Sequence, residues 1–217
     1  MMAHFRSIAD IRREYGELAL DDATIPAEPL QLFNQWLEEV LKNEHSDPTA
    51  VVLSTVDENG FPDSRVVLLK GINEGNFIFY TNYQSKKAQQ LHNKPYAALN
   101  FYWPDMARQV RIRGRVEQVE AKIADAYFAS RPRLSQISAI ASPQSKTIPN
   151  RDFLEAATQR ILQEHQEQEI MRPDFWGGFK VCPVEIEFWQ GRDNRLHDRI
   201  QYQFNNQQQW EFCRLAP

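Results

Sequence analysis

The chain has 217 residues, with 25 Lys+Arg against 29 Asp+Glu and a formal net charge of −4. Hydrophobic residues at 42% and aromatics at 12% exclude a disordered chain, and the length suits one domain with a real core. The mildly acidic balance argues against a general nucleic-acid binder or a polybasic membrane-surface protein.

Residues 1–10 lack the apolar core of a secretory signal, and no apolar run approaches the roughly 20 residues of a membrane helix. A cytoplasmic protein without membrane or nucleic-acid partners is therefore expected. Cys182 and Cys213 have no C-x-x-C spacing and are expected as two buried free thiols rather than a disulfide.

In chain order, Leu30, Phe33, Leu37 and Val40 recur at helical spacing behind Pro26 and Pro29, which predicts a helix over 29–41. A β-branched run over 49–56 then leads into Asp57-Glu58-Asn59-Gly60, a hairpin turn in which Asn-Gly accepts positive φ cheaply. The returning strand is 64–69, residues 71–76 read as a turn, and 77–81 as a further strand. A short helix over 85–92 precedes strands at 96–103 and 109–119. The second alternates cleanly, with Val110, Ile112, Gly114 and Val116 on one face and Arg111, Arg113, Arg115 and Glu117 on the other. A helix over 121–130 ends at Arg131-Pro132. Residues 134–150 show little period and read as loop, 151–169 as a polar helix. Strands follow at 179–190, around 197–204, and at 210–215, with Gln207-Gln208-Gln209 as a hairpin loop. Antiparallel strands in hairpin order with helices at the margins predict a mainly β barrel or sandwich in one domain.

No phosphate loop, dinucleotide fingerprint, serine-hydrolase elbow or H-E-x-x-H is present, and none of the five histidines pairs at helical spacing. What stands out is the distribution of charge. Residues 61–115 hold nine Lys/Arg and three acids, a net +6, so the other 162 residues carry −10. Arg65, Lys70, Lys86 and Lys87 alternate there with Tyr80, Thr81 and Ser85, as a phosphate or other dianion requires; solvated strand ends are the competing explanation. Tyr127 and Arg131, four apart, share one helix face, which fits an anion site or a helix C-cap equally. In the third group, a turn over 191–194 precedes Arg195, His197 and Arg199, read as alternating on one strand face with Leu196 pointing into a core. Three such side chains in a row suit an anion, or a salt-bridged barrel rim.

Together these pieces resemble the pyridoxamine 5′-phosphate oxidase family. The resemblance spans nearly the whole chain, from Arg12-Arg13-Glu14-Tyr15 to Arg214-Leu215-Ala216-Pro217. Its most specific parts are Arg65-Val66-Val67-Leu68-Leu69-Lys70, Phe79-Tyr80-Thr81-Asn82, Arg131-Pro132-Arg133 with Ser135-Gln136, Phe175-Trp176-Gly177-Gly178, and Trp189-Gln190-Gly191 leading to Arg195–Arg199. The resemblance implies an FMN-binding split β-barrel, antiparallel and Greek-key-like with flanking α-helices, as a single domain over 1–217. Residues 1–27 form a substrate-covering segment and 28–217 the barrel with helices. It also implies a homodimer with FMN at the subunit interface. By motif match, FMN contacts fall on Arg65, Val66, Val67, Leu68, Leu69, Lys70, Tyr80, Thr81, Lys86, Lys87, Gln109, Gln144, Ser145, Trp189 and Arg199. The substrate's phosphate falls to Lys70, Tyr127, Arg131 and Ser135. Arg195, Leu196 and His197 lie near the reacting carbon, with Arg195 and His197 as catalytic residues, and Arg12, Arg13, Glu14 and Tyr15 cover the substrate.

The implied reaction is oxidation of pyridoxine 5′-phosphate and pyridoxamine 5′-phosphate to pyridoxal 5′-phosphate. O2 is the electron acceptor and H2O2 a product, with NH3 released from the amine. Because the flavin supplies the redox chemistry, the protein needs neither nucleophile nor metal. Two alternatives are a related flavin oxidase acting on another ring, and a non-catalytic flavin- or pyridoxal-phosphate-binding protein.

Overall fold

The computed structural model describes residues 14–15, 18–42, 47–166 and 168–217. Its strands, β1 (Ala50–Val56), β2 (Pro62–Leu68), β3 (Gly71–Asn73), β4 (Asn76–Asn82), β5 (Tyr96–Trp103), β6 (Arg108–Gln118), β7 (Trp176–Gln190), β8 (Asp198–Phe204) and β9 (Trp210–Arg214), hydrogen-bond in the order β2-β1-β5-β6-β7-β4-β3, with β8 on β7 and β9 on β8. Packing divides into two compact units, and β5, β6 and β7 contribute residues to both.

The larger unit holds Thr49–Asn100 and Ile112–Val184. Its first hairpin joins β1 (Ala50–Val56) to β2 (Pro62–Leu68), with Leu53 opposite Arg65 and Val51 opposite Val67. The predicted turn forms because the Asp57 carboxylate accepts the N–H groups of Asn59 (2.9 Å) and Phe61 (2.8 Å), with Gly60 at φ +91°. The segment read as one turn over 71–76 contains a strand instead. β3 (Gly71–Asn73) pairs with β4 (Asn76–Asn82) through a tight hairpin with Glu74 and Gly75 both at positive φ. Three residues are too few to display a period of two, so only the pairing reveals them.

Helix α2 (Lys86–Asn93) starts on Ser85, whose hydroxyl accepts the Ala88 N–H. Strands β5 (Tyr96–Trp103) and β6 (Arg108–Gln118) follow; β6 buries Val110, Ile112 and Val116 and exposes its arginines at 111, 113 and 115, as its alternation predicts. Helix α3 (Ala121–Ser130) ends where Pro132 requires.

Residues 134–150 are not all loop: α4 occupies Arg133–Ala141. Its short, serine-rich sequence has weak intrinsic preference, but Ile137 is fully buried, and Gln136 donates Nε2–H to the carbonyls of Phe128 (2.9 Å) and Ala129 (3.2 Å). Those are end carbonyls of α3, so tertiary capping selects the helix. Helix α5 (Arg151–His165) ends earlier than predicted because Gln166 turns at φ +40°. The guanidinium of Arg133 then takes the carbonyls of Gln166 and Gln168.

The smaller unit holds the described part of residues 1–48 with Phe101–Arg111 and Glu185–Pro217. Helix α1 (Pro29–Lys42) buries Leu32, Phe33, Trp36 and Val40. Phe33 packs edge-on to Phe101 and Trp36 edge-on to Phe188 of β7 (Trp176–Gln190). Tyr202 of β8 (Asp198–Phe204) donates its hydroxyl to Pro26 O (2.8 Å), and burial pushes this phenol up to about 12. Strand β9 (Trp210–Arg214) pairs only with β8. That edge position leaves Cys213 exposed, against the expectation of a buried thiol; Cys182 is half-buried, and both are free.

Residues before β8 also depart from expectation. Asn194 and Arg195 adopt φ +56° and +60° within a 3-10 turn over Asp193–Arg195, and β8 begins only at Asp198. Arg195, His197 and Arg199 therefore do not alternate along one strand. Leu196 is 69% exposed and does not enter a core, because two left-handed residues break the extended chain just before it. No helix among the described residues is long and apolar enough to cross a membrane.

Candidate active site

The larger unit contains a cleft of about 530 Å³. Strand β2 contributes Arg65, Val66, Val67 and Leu68, and Lys70 follows it. Strand β4 contributes Tyr80 and Thr81, and α2 contributes Lys87. Tyr127 and Arg131 reach the cleft from the end of α3, Gln144 and Ser145 from the segment after α4, and Trp176 from the start of β7. Two groups that the sequence separates by about 45 residues thus share one wall system.

Among the described residues, four cations and no carboxylate line this cleft. Burial lowers the pKa of Lys87, with the charge of Arg65 as a second cause; its Nζ donates to Thr81 Oγ1 at 3.3 Å. Burial likewise lowers that of Arg131. The guanidinium of Arg131 stands over the ring of Trp176 at 4.6 Å, and its Nη1 is buried without a hydrogen-bond partner among the described residues. A desolvated cation with an unspent N–H costs free energy unless an anion arrives to meet it. The helix-cap explanation for Arg131 gives its side chain nothing to bind, whereas a dianion does.

Arg65 is more committed. Its Nη1 donates to Thr55 Oγ1 (2.5 Å), its Nη2 to Gln90 Oε1 (3.2 Å), and it pairs with Asp63 at 2.9 Å. Asp63 also meets Lys86 (3.1 Å), and the hydrogen bond from Lys86, then that from Gln90, holds its carboxyl below the usual range. Lys86 is exposed on this pair and does not line the cleft; Leu69 is buried in the core. Ser135, on the first turn of α4, is half-buried and also lies outside the lining.

The other predicted residues fall in the smaller unit. His197 packs on Trp189 (centroids 4.7 Å apart), and the Tyr15 ring stands edge-on to both, at 5.4 Å from His197 and 5.8 Å from Trp189. The Tyr15 N–H donates to Asp193 Oδ1 at 2.9 Å, which fastens the N-terminal segment to the turn before β8. His197 Nδ1 lies 3.1 Å from the Arg192 N–H. An N–H only donates, so Nδ1 is the acceptor and the neutral ring carries its proton on Nε2. Arg195 is exposed on the strained turn, and Glu14 is exposed beside Tyr15. Gln109 is half-buried on β6. Arg199 is engaged by Glu187 (2.9 Å) and by Ala216 O (2.7 Å), and Glu187, 2% exposed, also binds Arg111. Here the salt-bridged rim describes Arg199 well. Arg12 and Arg13 lie outside the described residues. Trp176 is the cleft residue the motif reading left without a role, although its place in Phe175-Trp-Gly-Gly178 flagged it.

Comparison with known proteins gives this architecture a class. It superposes on PhzG from Burkholderia lata 383, solved with tetrahydrophenazine-1-carboxylic acid, at TM-score 0.86 and 27% identity over 92% of this chain and 98% of that one. A pyridoxamine 5′-phosphate oxidase-related, FMN-binding protein from Nostoc punctiforme PCC 73102 matches at TM-score 0.71 and 19% identity, over 88% and 98% of the two chains. The fold is the mainly β split barrel of FMN-binding proteins, with flanking helices. Residues 37–165 match the family described as "Pyridoxamine 5′-phosphate oxidase", and residues 176–217 match "Pyridoxine 5′-phosphate oxidase C-terminal dimerisation region". The pyridoxine/pyridoxamine 5′-phosphate oxidase of Legionella pneumophila (strain Paris) is 59% identical over 216 residues, covering 100% of both chains. That of Chromohalobacter salexigens is 50% identical over 97% of this chain and 98% of its own. The chain belongs to the pyridoxamine 5′-phosphate oxidase family.

Proposed function

We propose that this chain oxidises pyridoxine 5′-phosphate and pyridoxamine 5′-phosphate to pyridoxal 5′-phosphate, with FMN as cofactor and O2 as electron acceptor. The observation that carries the reading is the cleft, lined among the described residues by four cations and no carboxylate, into which half-buried Arg131 brings a buried Nη1 with no hydrogen-bond partner. The donor set fits phosphorylated ligands, since guanidinium, ammonium and hydroxyl groups all donate and a phosphate dianion only accepts.

In this reading Arg65, Thr81, Lys87 and Ser145 hold the phosphate of FMN, and the β2 segment Val66–Leu68 with Gln144 lines its remaining length. Lys70, Tyr127, Arg131 and Ser135 hold the substrate's phosphate. When bound, FMN would supply the redox chemistry, with O2 as the final electron acceptor. The chain's own contribution is binding, orientation and exclusion of water. Arg195 and His197 keep the substrate ring and its C4′ group in place. His197 presents an Nε2–H donor, which suits orientation better than proton abstraction. Tyr15 closes over His197 and Trp189 as part of the substrate-covering segment 1–27.

The working form in this proposal is a cytoplasmic homodimer with FMN at the subunit interface. Supporting it, Trp189, Arg195, His197 and Arg199 all fall in the part matching the family's dimerisation region, whereas the cleft residues other than Trp176 fall in the preceding match. The whole chain then serves as one FMN-binding domain.

The test is aerobic turnover of the purified yellow protein with pyridoxine 5′-phosphate, following peroxide and pyridoxal 5′-phosphate together. A flavin-loaded protein inert toward both phosphorylated substrates would refute the proposal and favour a PhzG-like oxidase acting on another ring, or a binding protein.

A further inference from the structure

The geometry of the Trp176-Gly177-Gly178 run bears on the phosphate site. Trp176 opens β7 opposite Asn82 of β4 and is 6% exposed. Its ring lies nearly parallel to those of Tyr80 (8°, 5.5 Å) and Tyr127 (6°, 6.2 Å), and the two tyrosines stack at 3.8 Å. The guanidinium carbon of Arg131 is 4.6 Å from the Trp176 centroid and 5.7 Å from that of Phe128.

A ring face attracts a cation through its quadrupole but offers no lone pair. Trp176 therefore holds Arg131 without neutralising it and without using up an N–H, and Nη1 is left buried and unpartnered. A carboxylate in that position would occupy both the charge and the donors. The Trp176 backbone is itself anchored. Arg172 donates to Trp176 O (2.7 Å) and pairs with Asp125 of α3 (2.6 Å), which ties the start of β7 to the helix bearing Tyr127 and ending at Arg131.

We infer that Trp176 is a positioning residue for the substrate's phosphate: its face fixes the Arg131 guanidinium so that the N–H groups stay free for the dianion. This deepens the proposed function and rests on Arg131 being a phosphate ligand.

The experiment compares Trp176→Leu, Trp176→Phe, Arg131→Ala and the Trp176→Leu/Arg131→Ala pair as flavin-loaded protein. It measures kcat and KM with pyridoxine 5′-phosphate, and the Kd of pyridoxal 5′-phosphate by equilibrium dialysis. Trp176→Leu is expected to raise KM and Kd about tenfold while kcat changes less than about twofold, from loss of a desolvated cation–π contact. Trp176→Phe, which keeps a ring face, should recover most of that loss. Arg131→Ala should raise both constants further, and in its background Trp176→Leu should add little. If Arg131→Ala weakens the phosphate but Trp176→Leu leaves KM and Kd unchanged, or lowers kcat as much as affinity, the inference fails. Should Trp176→Leu not fold, a Trp176→Phe variant with wild-type Kd in the presence of a sensitive Arg131→Ala would also refute it, as the smaller ring should still cost about twofold. An Arg131→Ala variant with unchanged KM would instead refute the reading of the phosphate site itself.

Discussion

Gly178→Ala adds one methyl group at the wall of the cleft, and the structure states what that methyl meets. A Cβ built on Gly178 lies 2.8 Å from Tyr80 Cε1, 3.0 Å from Tyr80 Cδ1 and 2.8 Å from Val119 Cγ2. Carbon pairs prefer about 3.5 Å or more, so the methyl is roughly 0.7 Å too close on two sides at once. Neither neighbour has room to yield. The Tyr80 ring is already stacked on Tyr127 at 3.8 Å, and Val119 is buried with Ile78 and Ala124. The backbone is pinned as well, since Gly178 O accepts from Val119 N (3.0 Å) and from the Tyr83 hydroxyl (3.1 Å). Overpacking of this kind costs about 1–3 kcal/mol, against which the lower unfolded-state entropy of alanine returns about 0.4–1 kcal/mol. The expected net loss is about 1.5 kcal/mol, or roughly 3–6 °C in Tm for a chain of this size. Urea unfolding of the flavin-free protein, followed by tryptophan fluorescence, should show a lower midpoint at unchanged slope. FMN titration of the same variant should show weaker binding, because displacing Tyr80 moves a wall of the cleft. A variant as stable as the parent and with the same FMN affinity would refute the claim that this contact sets the Tyr80 ring.

Arg195→Leu is expected to retain FMN but to lower kcat with pyridoxine 5′-phosphate by at least about tenfold; unchanged kinetics in the flavin-loaded variant would remove Arg195 from the site. In Gly191→Ala the new Cβ falls 2.7 Å from Tyr15 Cδ1 and 2.9 Å from Ala107 Cβ, so Tyr15 must leave His197 and Trp189. A several-fold rise in substrate KM is expected, with a fall of a few degrees in Tm because buried Ala107, hydrogen-bonded to the Gly191 N–H, cannot yield, checked by steady-state kinetics beside calorimetry. Asp63 carries a depressed pKa in the folded chain, so its contribution to stability is present above the unfolded aspartate value of about 3.9 and is lost as pH falls through the folded value. Asp63→Asn should therefore flatten the decline in stability as pH falls below about 4 in urea titrations of the flavin-free protein; an unaltered acid slope would mean that the Lys86 and Gln90 contacts do not persist in solution.

Much of this protein is legible along the chain because the signals are local. The alternation of β6, the Asp57–Gly60 turn and the end of α3 before Pro132 follow from periods and backbone rules that neighbouring residues obey by themselves. The family motifs are equally local, and they brought Arg65, Lys70, Tyr80, Thr81, Lys87, Tyr127, Arg131, Gln144 and Ser145 to one cleft. Whole-chain charge was the misleading quantity, since −4 averages a +6 segment with a −10 remainder.

Other outcomes depend on partners far away in sequence, which come together only on folding. Helix α4 exists because Gln136 satisfies the end carbonyls of another helix, a requirement invisible in its own residues. Arg195 and His197 left their supposed strand because two left-handed residues bend the chain there. Among the cations, composition says which residues are charged but not which of them are free to bind a ligand. Folding gave Arg199 to Glu187 and Lys86 to Asp63, and left half-buried Arg131 against Trp176 with a buried N–H to spare among the described residues. A charge free to bind a ligand differs from one spent on the fold by its neighbours in space, and those neighbours are set by packing rather than by spacing along the chain.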